Sequence, residues 1–230
     1  GNIFAIASAR DLNYLDEVEM ILGFRPDFIG QNGTAMYYGG HTSMKTIDTA
    51  LFEELCNYCK EHDMRVTIAF HMKEGNPYVV DRIYYPYNVE TALHDAAFMD
   101  SFHKRMPKDL TVADINGITV FVEPQRLNEV RACLKEHFQG RLEVVSSDID
   151  LINVSPYGCT KGNGVKELMQ YYGLGPDDVA TIGDSDNDIS MLQAVSFSYC
   201  MDHSEPEVKE AASMCVESVA QAMEHFTKRQ

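Results

Sequence analysis

One stretch, Val179-Ala-Thr-Ile-Gly-Asp-Ser-Asp-Asn-Asp-Ile-Ser-Met-Leu192, restricts this chain more than any other. Val179 to Ile182 form a short, mostly apolar run, the pattern of a strand buried in a parallel sheet. Gly183 stops it. Asp184, Asp186 and Asp188 follow within five residues, and Ile189, Met191 and Leu192 then open an apolar helical stripe. Like charges so crowded at a strand's C-terminal end repel one another unless a cation lies among them. Ligand crevices in open α/β sheets also lie at such ends. The cluster reads either as a solvated acidic turn or as a site for Mg2+, since oxygen-only ligation suits a hard cation. An EF-hand shares Asp184-x-Asp186-x-Asp188, but it requires glycine where Ile189 stands and a bidentate Glu where Val195 stands.

The 230 residues suffice for one large domain or two modest ones. A net charge of −16 opposes a general nucleic-acid or anionic-membrane partner, because both require a basic surface. It leaves room for a small anionic substrate held by a few local cations. No apolar run reaches the ~18 residues of a membrane span, and no basic-then-apolar leader is visible; a cytoplasmic location is expected. Six cysteines stand at 56, 59, 133, 159, 200 and 215. Cys56-x-x-Cys59 falls inside the helical pattern Leu51, Phe52, Leu55, Cys59, with no second pair at zinc spacing. Core or half-buried thiols in a reducing compartment are the expectation. The eight histidines form no i, i+4 ligand pair, and none is singled out.

From the start, Ile3–Ala7 is an apolar strand ending at Ser8-Ala9-Arg10. Asp11 can cap a helix with Leu12, Leu15, Val18, Ile21 and Leu22 on its apolar face. A strand Asp27–Gly30 leads into the turn Gln31-Asn-Gly33, and a hairpin spans Ala35–Tyr38 and Ser43–Ile47 around Gly39-Gly40. Strand, helix, strand is the grammar of a parallel α/β sheet. The middle changes character. A helix over 48–62 precedes strands at 65–70 and 78–83, and a weakly helical stretch covers 89–105. A strand over 117–122, a helix over 125–138 and strands over 141–145 and 150–154 complete a sheet expected to be largely antiparallel, with helices on one face. No Pro/Ser-rich linker flanks this region, so it reads as an insertion. From Ser155 the α/β grammar returns. Thr160-Lys-Gly-Asn-Gly164 opens a helix, a strand is expected near 195–199, and helices over 205–212 and 219–226.

Three separated features make a chemical set: Ser8 after the first strand, Lys161 at a helix start, and the carboxylates at 184 and 188. Phosphoryl transfer needs donors on the phosphate oxygens, a cation to offset charge, a carboxylate-held metal and a nucleophile. The first three roles are supplied. The order Ile3–Arg10, Gln31-Asn-Gly33, Cys159-Thr-Lys-Gly162, and Gly183-Asp-Ser-Asp-Asn-Asp188 with Met191-Leu192 resembles the haloacid dehalogenase superfamily. Within it, the chain is most similar to the Cof-type phosphatases, which carry a large α/β cap inserted in the core.

The resemblance implies an α/β fold with a three-layer Rossmann-like parallel core, formed by 1–47 and 156–230, and an α+β cap over 48–155. It implies an Mg2+-dependent phosphatase of a small phosphorylated metabolite such as a sugar phosphate, acting as monomer or homodimer. By it Ser8 binds the transferring phosphoryl group and Lys161 neutralises it. Asp184, Asp188 and Ser185 form the metal site, and Ala9, Arg10, Asn32, Gly33 and Asn187 line the substrate side. One element is missing. The family's nucleophile and acid/base lie in an Asp-x-Asp-Gly-Thr motif ahead of the Ser8 strand, and these 230 residues do not contain it. Asp148-Ile-Asp150 is followed by Leu151-Ile-Asn153 and not by Gly-Thr, and it reads as a decoy. Truncation of a longer protein and a degenerate, non-catalytic homologue both remain open. Either the gap left by the central strand is filled, or the Ile3–Ala7 and Val179–Ile182 strands become direct neighbours.

Overall fold

A computed structural model describes residues 2–62, 64–72, 80–85 and 113–228. The helical stretch expected over 89–105 lies outside the described residues. The chain divides into two compact units, residues 1–157 and 158–230, and each is described by itself.

In the first unit, β1 (Ala5–Ala7) runs parallel to β2 (Asp27–Gly30), with Ile6 opposite Phe28. The crossover between them is α1 (Tyr14–Leu22). Asp11 does not cap it as expected: the cap position is Asn13, with no side-chain cap bond, and Asp11 Oδ1 accepts the Asn13 N–H at 3.0 Å just ahead of the helix. Gly23 ends it in the left-handed region, φ 75°, where a Cβ would be strained. Leu12, Leu15 and Val18 are buried, but Ile21 is 76% exposed. Ile21 lies six residues past Leu15, about 240° round a helix of ~100° per residue, so burying both would need a wider contact face than α1 has.

β3 (Ala35–Tyr38) and β4 (His41–Met44) extend this sheet in the antiparallel sense, order β1-β2-β3-β4. Gly39 and Gly40, φ 54° and 80°, form their two-residue turn, the conformation that matches strand twist.

The same unit holds a five-stranded antiparallel sheet. It comprises β5 (Arg65–Met72), β6 (Val80–Tyr85), β7 (Ala113–Phe121), β8 (Leu142–Asp148) and β9 (Leu151–Pro156), in the order β6-β5-β7-β9-β8. α2 (Thr49–Glu61) and α3 (Leu127–His137) share one core with it. Leu55 and Phe52 from α2, Val130 and Leu134 from α3, and Val120 and Ile152 from the sheet are all buried there. Ile118 and Val120 of β7, Leu142 and Val144 of β8 and Ile152 and Val154 of β9 are buried at every second position, the period of two that defines a strand face. Each such side chain taken out of water stabilises the fold by roughly 1.5–3 kcal/mol. Asp148 and Asp150 flank Ile149 in the turn joining β8 to β9, and Ile149 is 70% exposed. That hairpin tip accounts for the Asp-x-Asp spacing without chemistry.

The second unit is a parallel α/β layer. β10 (Ala180–Gly183), β11 (Phe197–Met201) and β12 (Met214–Val216) pair in that order. The connections are α4 (Lys161–Tyr172) before β10, α5 (Ile189–Leu192) and α6 (Pro206–Ala211) between strands, and α7 (Val219–Thr227) after β12. Ser218 caps α7 by accepting the Gln221 N–H at 3.2 Å. Sequence reading misses β12. It has three residues, too few for periodicity to register, and it is made by pairing with β11. Among the described residues β1 and β10 are edge strands of different sheets.

Candidate active site

The expected site residues fall on both units. In the second, Thr160 sets the geometry: extended at φ −129°, it starts α4 by accepting the Asn163 N–H on its hydroxyl at 3.1 Å. Gly162 then lies against the backbone of Ser190. A Cβ on Gly162 would stand 2.1 Å from the Ser190 carbonyl oxygen, so no larger residue permits this approach. The Gly162 N–H, one of the helix's first amides without an intrahelical acceptor, donates to Ser190 Oγ at 3.0 Å.

The approach delivers Lys161 to the acidic turn. Its Nζ donates to Asp188 Oδ1 at 2.6 Å, with side chains only 7% and 6% exposed. The other Asp188 oxygen accepts the N–H groups of Asp184 at 2.9 Å and Ser185 at 3.0 Å. Asp188 thus closes the turn that it ends. A Cβ on Gly183 would meet the Asp188 Cβ at 2.5 Å, which explains the glycine that ends β10. A buried ion pair is tolerable only when further hydrogen bonds replace lost water, and the two loop amides do this.

Asp184 is different. Its side chain is 52% exposed. Ser185 Oγ donates to its Oδ1 at 3.3 Å, and His203 Nε2 stands 3.6 Å from its Oδ2. Asn187 is buried and Asp186 half-buried. Sequence reading passed over His203 and Ser190. The available signal for His203 was its place just past the C-terminal end of β11, where crevice residues gather. Ser190 gave none, because its role depends on a helix approach made by the fold.

In the first unit, Ser8, Ala9, Arg10, Asn32 and Gly33 come together. The Ser8 N–H donates to the Ile29 carbonyl at 2.8 Å, the Gln31 N–H to the Arg10 carbonyl at 2.8 Å and the Asn32 N–H to the Ser8 carbonyl at 3.0 Å. Gln31, Asn32 and Gly33 carry φ of 47°, 55° and 99°. Two non-glycine residues in the left-handed region cost roughly 1–2 kcal/mol each, offset here by the bonds that hold the two loops together. Ser8 Oγ accepts the Arg10 N–H at 3.0 Å, which leaves the hydroxyl proton free to be donated. The Arg10 guanidinium stacks over Tyr14, 4.6 Å from the ring centre.

A divalent cation needs oxygen ligands not already committed. Asp188 gives both oxygens to Lys161 and the loop amides, whereas Asp184 presents an accessible carboxylate at a strand's C-terminal end. Mg2+ is often bound through one or two carboxylates, with water and substrate phosphate completing its shell. Asp184 fits one such ligand. Among the described residues no group of three or more His, Cys, Asp or Glu is placed to hold a metal.

Comparison with known proteins finds several relatives of this chain. The chloroplast endoribonuclease YBEY of Arabidopsis thaliana is 27% identical over 197 residues, 80% of this chain. The chain spans only 30% of that protein's length. An HMP-PP phosphatase of Serratia proteamaculans is 22% identical over 208 residues, covering 89% of this chain and 73% of the relative. A solved sugar phosphatase of haloacid dehalogenase subclass IIB superposes with a TM-score of 0.72 at 20% identity, over 99% of this chain and 86% of the other. At that identity the likeness establishes the fold. The profile of the haloacid dehalogenase-like hydrolases matches residues 1–222, and the chain belongs to that family.

Proposed function

We propose that this chain acts as an Mg2+-dependent phosphomonoester hydrolase on a small phosphorylated metabolite such as a sugar phosphate. The observation that carries the reading is the buried Lys161–Asp188 pair, whose carboxylate also holds the backbone of the exposed Asp184. A fixed ammonium and an open carboxylate at one strand end are what a phosphate dianion with its cation requires. Asp184 would hold Mg2+, which would offset phosphate charge when bound. Asp188 would position Lys161, and the Ser185 hydroxyl would orient Asp184. Ser8 would donate its hydroxyl to a phosphoryl oxygen. Ala9, Arg10, Asn32, Gly33 and Asn187 would shape the substrate side. The segment 48–155 would act as a cap selecting the substrate, over a core of 1–47 and 156–230. The net charge of −16 supports a small-molecule substrate and not a nucleic acid. Among the described residues no helix is long and apolar enough to cross a membrane; a cytoplasmic monomer or homodimer completes the proposal.

A second reading has its own observation. The 230 residues carry no Asp-x-Asp-Gly-Thr, and Asp148 and Asp150 sit on a hairpin tip. A phosphate- or metal-binding homologue without turnover would look the same. The test is hydrolysis of p-nitrophenyl phosphate with and without Mg2+, by the chain alone and by the chain preceded by a strand bearing Asp-x-Asp-Gly-Thr. We expect no turnover from the 230 residues and Mg2+-dependent turnover from the extended protein, lost on Asp184→Asn. Inactivity of a folded extended protein that still binds Mg2+ would favour the second reading. Mg2+-dependent activity of the 230 residues abolished by Asp148→Asn or Asp150→Asn would overturn the reading of those two residues as a decoy.

A further inference from the structure

The edge of the second unit's sheet carries a thiol pair that the phosphatase reading does not use. In register, Cys200 of β11 stands opposite Cys215 of β12 and, on its other side, opposite Gly183 of β10. Directly paired residues present their side chains on the same face. The two sulfurs are 3.0 Å apart and both cysteines are free. Cys200 is fully buried, packed in one cluster with Leu192 and Val208, whereas Cys215 is exposed. The register is pinned on both flanks. Ser213 donates its hydroxyl to the Ser198 carbonyl at 2.6 Å and its N–H to Ser198 Oγ at 3.0 Å. Past the cysteines, the Asp202 N–H donates to the Val216 carbonyl at 3.0 Å. A disulfide has a sulfur separation of ~2.05 Å and Cα atoms ~4.4–6.8 Å apart, so small side-chain rotations suffice.

We propose that Cys200 and Cys215 form a reversible intramolecular disulfide, with a low-molecular-weight disulfide as the oxidant. The exposed Cys215, as thiolate, attacks one sulfur of the small disulfide. That S–S bond breaks, the departing thiolate takes up a proton, and a mixed disulfide remains on Cys215. Cys200 then loses its proton and attacks the Cys215 sulfur, and a second small thiol leaves. In sum, two protein thiols are oxidised by two electrons and one small disulfide is reduced to two thiols. Burial, and next the contact with Cys215, push the Cys200 thiol up to about 11. The second step is therefore the slow one at neutral pH, and it accelerates as pH rises. The bond would tie the edge strand to the strand that leads into the His203 turn, one strand from the acidic loop.

The reduced 230-residue chain is incubated with oxidised glutathione at pH 8, quenched in acid, alkylated, digested and mapped by mass spectrometry. The expected result is one cross-link joining the Cys200 and Cys215 peptides, reversed by dithiothreitol. Cys200→Ala, shown to be folded by circular dichroism, should instead retain glutathione on Cys215. The proposal is overturned if wild-type Cys215 keeps glutathione while Cys200 stays alkylatable. It is equally overturned if Cys215 links to another cysteine, or if both thiols remain free. The readout is a mass, independent of phosphatase activity.

Discussion

Replacing Asp188 by asparagine keeps the side chain's shape and removes its charge, and the structure says what that should do. The carboxylate accepts three donors, Lys161 Nζ at 2.6 Å and the amides of Asp184 and Ser185 at 2.9 and 3.0 Å. In Asp188→Asn one oxygen can still serve the amides, but the new NH2 faces an ammonium. Removing one partner of a buried pair leaves the other's charge uncompensated, at roughly 3–5 kcal/mol. We expect Asp188→Asn in the upper part of that range. Lys161→Met should fall in the lower part, because the two amides still satisfy the remaining carboxylate. In Lys161→Met/Asp188→Asn no charge is left buried, so the double variant should lose less than the sum of the singles, with a coupling of about 1.5–3 kcal/mol. Urea unfolding followed by circular dichroism gives the energies. Hydrogen exchange at the Asp184 and Ser185 amides locates them, and both should exchange faster in Asp188→Asn. Because the pair is buried, 1 M NaCl at a Debye length of about 3 Å should leave the coupling nearly unchanged. Additive single costs within ~0.5 kcal/mol, or a coupling abolished by salt, would refute the reasoning.

Gly162→Ala should destabilise by at least ~1–3 kcal/mol, the usual cost of overpacking, because its Cβ would meet backbone and not a movable side chain. The same urea titration would show it; a neutral result would mean that α4 does not approach α5 as closely as described. Stability should also fall as pH rises above 9. Burial raises the Cys59 thiol from 9.0 to about 12 and Cys200 to about 11. Between those values the folded chain keeps protons that the unfolded chain has released. Each such thiol then contributes a loss of about 1.4 kcal/mol per pH unit, and nothing below pH 9. Urea midpoints from pH 8 to 10.5 should decline more gently in Cys59→Ala; an unchanged slope would contradict this.

What could be read before any fold was known is what neighbours in sequence decide. The β10 run, its terminating glycine and the carboxylates after it are local. So are the Thr160 cap before Lys161 and the Gly39-Gly40 turn. Each depends on backbone preferences and bonds spanning a few residues, and strand and helix types came through for the same reason. The family resemblance rested on these local motifs too.

Other features belong to tertiary structure alone. α1 shows Ile21 to solvent because face width depends on what the helix packs against. β12 exists through its bonds to β11, and Cys200 met Cys215 only when two strands settled in one register. His203 reached Asp184 by lying on the next strand's end, and Ser190 became a helix anchor through an approach that Gly162 allows. That the Asp188 oxygens meet an ammonium and two amides was not visible in its spacing. By itself the sequence determined which charges this protein carries and the local elements that bear them. Which of those charges are buried against each other, and which carboxylate is left open to a ligand, was decided by packing, because burial and pairing depend on residues far apart in the chain.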